Sequence, residues 1–282
     1  MAHATVIGME LAASPDVIAN VMDIDEMAKT VEERATPRLL LLVGFDGVLV
    51  DYEGDPAHVR LSAERCDALN ALTDRPDIVL GIVSGRRVSD LRQCAPLGAK
   101  VFYVGLHGLE VEGPDVQLMA REAVESHRDR VHEIAATLEP SMSSVEGVRV
   151  EDKDGVIAVH TREARSQDAV WARIHLLSTA AHMIRRDDLR VVRGNHVIEL
   201  LPNVPHPRAT AIFEIRRHLQ EHEAEPLLTL YIGEDAPDDD AFEALGNDGI
   251  SAAVGTRASK ARYRLTSTEE VWQLIARLAK TH

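Results

Sequence analysis

Three apolar runs, residues 39–45, 77–83 and 227–232, are each of strand length, and each leads into a polar loop. Leu61, Cys66, Leu69 and Leu72 fall on one side of a helix over residues 62–73, so strand, helix and strand follow one another as in a βαβ unit. A short helix is predicted at 88–94 and a fourth strand at 101–105. Continuous apolar runs, rather than alternation, are what strands show when a parallel sheet is covered on both faces. The pattern predicts an α/β protein with a doubly wound, Rossmann-like parallel sheet.

The middle of the chain has a different rhythm. Residues 121–138 and 166–184 are amphipathic at helical spacing, whereas 148–153, 156–162, 189–193 and 196–200 have strand character. Asp154-Gly155 and Gly194-Asn195 sit between paired strands, which is hairpin chemistry. The order αββαββ predicts an inserted α+β domain at 114–201 that interrupts a core formed by 37–113 and 202–282. Residues 1–36 are expected to form an N-terminal extension with a helical arm. Two units of this kind leave a cleft between them.

Composition narrows the partners. The chain has 282 residues with 31 Lys+Arg against 46 Asp+Glu, a formal net charge of −15, and no basic run, which argues against a nucleic-acid partner. Aromatic residues make up only 4%, too few for a base-stacking platform. Cys66 and Cys94 lack a cysteine or histidine at metal-ligand spacing and are expected to be idle thiols in a reducing compartment. The longest apolar run, residues 39–43, is too short to span a bilayer, and no leader pattern opens the chain, so the expectation is no membrane association and a cytoplasmic location.

In open parallel sheets, ligands bind beyond the carboxyl ends of the strands. The loops at those ends read Gly44-Phe45-Asp46-Gly47-Val48, Ser84-Gly85-Arg86-Arg87, and Gly233-Glu234-Asp235-Ala236-Pro237-Asp238. Carboxylates converging there with a hydroxyl and an arginine suggest a Mg²⁺–phosphate site. No G-x-G-x-x-G follows the first strand, and G-x-x-x-x-G-K-[ST] and G-x-S-x-G do not occur, which removes dinucleotide-binding, P-loop and serine-hydrolase readings.

The order GFDGV, IVSGR, a helical segment at Arg208 and GEDAPDDDAF resembles the four motifs of haloacid-dehalogenase-type phosphotransferases. More narrowly, GLHGLE from Gly105, VEDKDGVIAVHTR from Val150, ELLP from Glu199 and YIGEDAPDDDAFEAL from Tyr231 resemble trehalose-6-phosphate phosphatases over residues 37–280. The resemblance implies Mg²⁺-dependent hydrolysis of trehalose 6-phosphate. An aspartate would form an aspartyl-phosphate, and a second, two residues on, would protonate the leaving sugar oxygen and then activate water. On that mapping Asp46 is the acid/base, Ser84 and Arg208 hold phosphate oxygens, and Mg²⁺ falls to Asp46, Glu234, Asp235 and Asp238. Glu151, Lys153, Arg162 and Glu199 match sugar-binding positions, and Arg86 is placed beside the substrate. Without the resemblance, Glu151, Lys153 and Arg162 read as alternating charges coating the outer face of a strand pair; with it, the two readings stand level. His107 either lines the site or satisfies a loop carbonyl.

The departures fall on the chemistry. The nucleophile position is Gly44, Arg208 and Ala209 stand where Lys-Gly is usual, Glu234 replaces a metal-ligating Asp, and Leu201 and Asn195 replace an arginine and a sugar-binding lysine. Two expectations follow. One is a trehalose-6-phosphate phosphatase impaired by the missing nucleophile; the other is a non-catalytic module of trehalose metabolism that holds a sugar phosphate or another trehalose-synthesis enzyme. A third route would recruit Asp46 or Asp51 in place of Gly44.

Overall fold

The computed structural model describes residues 20–21, 24–34, 38–51, 59–120, 122–222 and 226–280. The first half runs β1 (Asn20–Val21), α1 (Ile24–Arg34), β2 (Arg38–Gly44), α2 (Ala63–Thr73), β3 (Ile78–Val83), α3 (Val88–Cys94), β4 (Val101–Gly105), β5 (Glu110–Gly113), β6 (Val116–Ala120) and α4 (Glu122–Met142). It continues through β7 (Arg149–Asp152), β8 (Ile157–His160), α5 (Ser166–Thr179), α6 (Ala181–Arg185), β9 (Leu189–Gly194) and β10 (Val197–Pro202). The chain then returns through α7 (Pro207–His222), β11 (Leu227–Gly233), α8 (Asp239–Leu245), β12 (Ile250–Val254), β13 (Tyr263–Leu265) and α9 (Thr268–Lys280).

Every residue of β2 is buried, because its side chains supply both layers of the core. Leu39, Leu41 and Val43 pack with Met27 and Val31 of α1, Leu69 and Leu72 of α2, and Leu274 of α9. Leu40 and Leu42 pack on the other face with Ala211, Ile212 and Ile215 of α7 and Phe242 of α8. Among the described residues the sheet has nine strands in the order β1-β13-β12-β11-β2-β3-β4-β5-β6. The pairs from β1 across to β4 are parallel, and β4-β5-β6 are antiparallel. This is the α/β sheet that the apolar runs predict.

The inserted unit is a four-stranded antiparallel sheet, β7-β8-β10-β9, backed by α4, α5 and α6 around Val131, Leu138, Met142, Val159, Leu176 and Leu200. Its β7–β8 turn uses Asp154 at φ 60° and Gly155 at φ 122°, closed by Lys153 N–H to Val156 O at 2.8 Å.

Several boundaries differ from the sequence reading. β6 is hydrogen-bonded to β5 of the large sheet, so the chain leaves that sheet after residue 120 rather than at 114. α4 runs through Pro140 to Met142, because Leu138 and Met142 are fully buried and Pro140 removes only one late helical bond. The helix predicted over 166–184 is broken at Ala180, where ψ is 1°. Of the expected N-terminal extension with a helical arm, residues 1–19, 22–23 and 35–36 lie outside the described residues, while helix α1 packs into the core against α9. β5, β12, β13 and α9 were not legible as separate elements.

Candidate active site

The loops after β2, β3, β4 and β11 form the floor of a cleft of about 800 Å³, and the β7–β8 and β9–β10 hairpins form its wall. β2 ends at Gly44, which pairs with Val83 of β3. A Cβ here would lie 2.8 Å from Val48 Cγ2 and 3.5 Å from Ile232 O, so the loop is packed around the missing side chain. Phe45 N–H donates to Val83 O at 3.0 Å, and Leu49 and Val50 N–H return to Phe45 O at 3.0 and 3.1 Å. That turn delivers the Asp46 carboxylate to the loop after β3.

There it meets a guanidinium rather than open space. Arg86 Nε donates to Asp46 Oδ2 at 3.0 Å and Nη2 to Oδ1 at 2.7 Å, the two-pronged geometry that carboxylate and guanidinium share. Ser84 Oγ lies 3.4 Å from the same carboxylate and accepts Arg86 N–H at 3.1 Å. Burial works against the Arg86 charge, but the hydrogen bonds and charge of Asp46 outweigh it and hold its pKa above the ordinary value.

Arg208 enters from the first turn of α7. Gly108, at φ +99°, lets this turn come close, since a Cβ there would sit 2.3 Å from Pro207 O. Arg208 Nη1 donates to Asp238 Oδ1, which also accepts the Tyr231 hydroxyl, while Asp238 Oδ2 takes Glu234 and Asp235 N–H at 2.9 Å each. Arg208 Nη2 reaches His107 Nδ1 at 3.0 Å, and His107 Nε2 reaches Glu199 Oε2 at 2.6 Å. A guanidinium only donates, so Nδ1 accepts and Nε2 carries the hydrogen given to Glu199. His107 therefore joins floor to wall, a side-chain role rather than service to a loop carbonyl.

Lys153 completes the chain from the wall, donating to Glu199 Oε1 at 2.6 Å and to Gly85 O at 2.9 Å. Burial pushes the Glu199 carboxyl up, but the charge of Lys153 and the hydrogen bonds outweigh it and keep the group far below the usual carboxylate range. Nearer the mouth, burial is again outweighed at Glu151: His160 Nε2 at 2.6 Å and the charge of Lys153 bring its pKa down from 4.5 to about 2. Arg162 and Asn195 line the same wall.

Two expected positions are not brought to the cleft. Glu234 is absent from its lining; its backbone carbonyl accepts Arg257 Nε at 3.1 Å. Asp51 accepts Thr268 Oγ1 at 2.8 Å at the start of α9 and does not line the cleft, so the route through Asp51 is withdrawn. Sequence reading also missed Tyr231, His160 and Arg257. Tyr231 had a signal, since a tyrosine within an apolar strand needs a partner for its hydroxyl. Both cysteines are free and buried, and Cys94 Sγ lies 3.3 Å from Arg60 Nη1 on the cleft edge.

Mg²⁺ demands several oxygen ligands in a near-octahedral shell. As arranged, these donors do not fit it. Asp46 is taken by Arg86, both Asp238 oxygens are engaged, Asp235 Oδ1 caps its own turn through Ala236 N–H at 2.7 Å, and Glu234 is off the cleft. Among the described residues no group of three or more His, Cys, Asp or Glu is placed to hold a metal ion. In this arrangement the carboxylates of Asp46, Asp235 and Asp238 are paired with arginines and backbone amides.

The parallel sheet, the inserted α+β unit and the loops at the strand ends define a protein of haloacid-dehalogenase-like fold. A haloacid dehalogenase-like hydrolase from B. subtilis superposes with a TM-score of 0.53 over 84% of this chain and 98% of that one, at 16% identity. The C-terminal domain of C. albicans trehalose-6-phosphate phosphatase superposes with a TM-score of 0.78 over 94% of this chain and 99% of that one, at 19% identity. The chain belongs to the trehalose-phosphatase family, whose model, described as Trehalose-phosphatase, matches residues 42–269. The trehalose-phosphate phosphatase of Mycobacterium marinum is 33% identical over 248 residues, and the match spans 86% of this chain but 62% of that protein. Among the described residues no helix is long and apolar enough to cross a membrane.

Proposed function

We propose that this chain binds trehalose 6-phosphate in its cleft and does not release the phosphate through an aspartyl-phosphate. The observation that carries the reading is Gly44. The strand end that would present the nucleophile has no side chain, and Val48 fills the space beside it. The rest of the cleft suits recognition. Ser84, Arg86 and Arg208 offer donors for a phosphate at the floor, and Glu151, Arg162 and Asn195 offer donors and acceptors for sugar hydroxyls along the wall. Lys153, Glu199 and His107 hold wall to floor and position both ends. The choice of ligand follows from the likeness to the mycobacterial trehalose-phosphate phosphatase and from the family match.

Calorimetry with trehalose 6-phosphate tests the binding half. The expected result is saturable binding, with trehalose and inorganic phosphate each binding more weakly alone; no heat at millimolar trehalose 6-phosphate overturns it. A second reading, docking of another trehalose-synthesis enzyme, draws on the exposed apolar residues Val170, Trp171 and Ile174 of α5. Val170→Ser with Ile174→Ser weakening co-purification of such an enzyme supports it, and unchanged recovery removes it.

A further inference from the structure

Arg86 is unusually well fixed for an arginine in an open cleft. Its main chain is anchored by Ser84 Oγ and by Leu106 N–H, which donates to Arg86 O at 2.8 Å. Its guanidinium lies over the Phe45 ring at 5.3 Å, holds both Asp46 oxygens, and has Nη1 3.7 Å from Cys94 Sγ. A guanidinium keeps its charge at every physiological pH, and its fork fits a phosphate as well as a carboxylate.

Three carboxylates of the cleft are already matched by cations. Asp46 faces Arg86, Asp238 faces Arg208, and Glu199 faces Lys153. A divalent cation reaching Asp46 would have to displace Arg86 and leave that guanidinium facing the metal. An incoming phosphate faces the opposite situation, because it takes over donors that are already present. One of them has no acceptor now: Arg208 Nε is buried and makes no hydrogen bond among the described residues.

We propose that Arg86 stands in for a divalent cation in this cleft. Sugar phosphate then binds without metal, and Asp46 is a competitor for the Arg86 guanidinium rather than a metal ligand. The inference rests on the binding reading above and adds to it the source of the positive charge. It also reverses the expected sign of a simple substitution. Asp46→Asn removes the competing charge while keeping the side-chain shape, so it frees Arg86 for phosphate. In a site where Asp46 holds a metal, the same change removes a ligand and weakens binding.

The test is calorimetric titration of trehalose 6-phosphate and of inorganic phosphate into the full chain, in EDTA and in millimolar Mg²⁺, for the wild type, Asp46→Asn and Arg86→Gln. The expected result is the same wild-type affinity in both buffers, affinity on the order of tenfold tighter in Asp46→Asn, and on the order of tenfold weaker in Arg86→Gln. Thermal melting of each variant checks that it is folded; Asp46→Asn, the milder change, carries the test if Arg86→Gln does not fold. Wild-type binding that needs Mg²⁺ and is lost in Asp46→Asn overturns the role of Arg86 and leaves the binding reading intact. No binding by wild type or Asp46→Asn in either buffer overturns both.

Discussion

On the cleft floor, Gly44 leaves β2 without a carboxylate, and Asp46 and Asp238 are each held by an arginine. On the wall, Glu151 and Arg162 face the cleft, while Lys153 and Glu199 close on Gly85 and His107 across the gap between the sheets. The two regions derive from one family pattern and have been spent differently. Glu151, Arg162 and Asn195 line the wall, where the proposed function places the sugar, whereas on the floor Gly44 has no side chain and Asp46 and Asp238 are ion-paired. On the proposed reading, shape and turnover separate in this fold, because the wall's geometry depends on hairpins and on the buried chain Lys153–Glu199–His107–Arg208, which does not include position 44.

The sharpest way to break that comparison is at the joint between floor and wall. Arg208→Met leaves Asp238 buried without its cation and removes a donor from His107, and should cost about 3–5 kcal/mol in urea unfolding. A cost under about 1 kcal/mol would mean that the two regions are not coupled through this chain. Gly44→Asp comes next. Its Cβ meets Val48 Cγ2 at 2.8 Å, so overpacking should cost about 1–3 kcal/mol, most of it recovered when Val48→Ala is added. Full additivity of the two changes would show that Val48 is not what fills the space.

The wall has its own signature in pH. Glu151 titrates near 2 in the folded chain, below its ordinary 4.5, so its contribution to stability is present above 4.5 and disappears as pH falls through 2. Partial exposure limits that contribution to about 1–2 kcal/mol, and Glu151→Gln should flatten the urea midpoint over that window. An unchanged profile in the variant would remove the His160–Glu151 pair as its source. Smallest is the half-exposed Arg87–Asp154 bridge at 3.2 Å between floor and hairpin. Arg87→Ala should cost less than about 1 kcal/mol, which a loss comparable to Arg208→Met would contradict.

The parts of the molecule that sequence reveals are those written in local patterns. The apolar runs of β2, β3 and β11 place three loops at one sheet edge, and Asp154-Gly155 and Gly194-Asn195 mark the hairpins. β5 was hidden because Glu110 and Glu112 interrupt its apolar residues, and Glu110 is spent accepting Val88 N–H at the start of α3. Partner choice was hidden for a different reason. Asp46 and Arg86 are 40 positions apart, and an acidic loop reads as a metal site until the strand order brings an arginine against it. Tyr231 and His160 act in the same way, through contacts that no spacing encodes.

The most direct measurement is phosphate release from trehalose 6-phosphate by the wild-type chain in Mg²⁺, followed at ligand concentrations where calorimetry shows the cleft to be occupied. The account predicts an occupied cleft with release no faster than the uncatalysed background. Release at an ordinary enzymatic rate would mean that another group has taken over the work of the missing carboxylate at Gly44, and would contradict the separation of recognition from turnover.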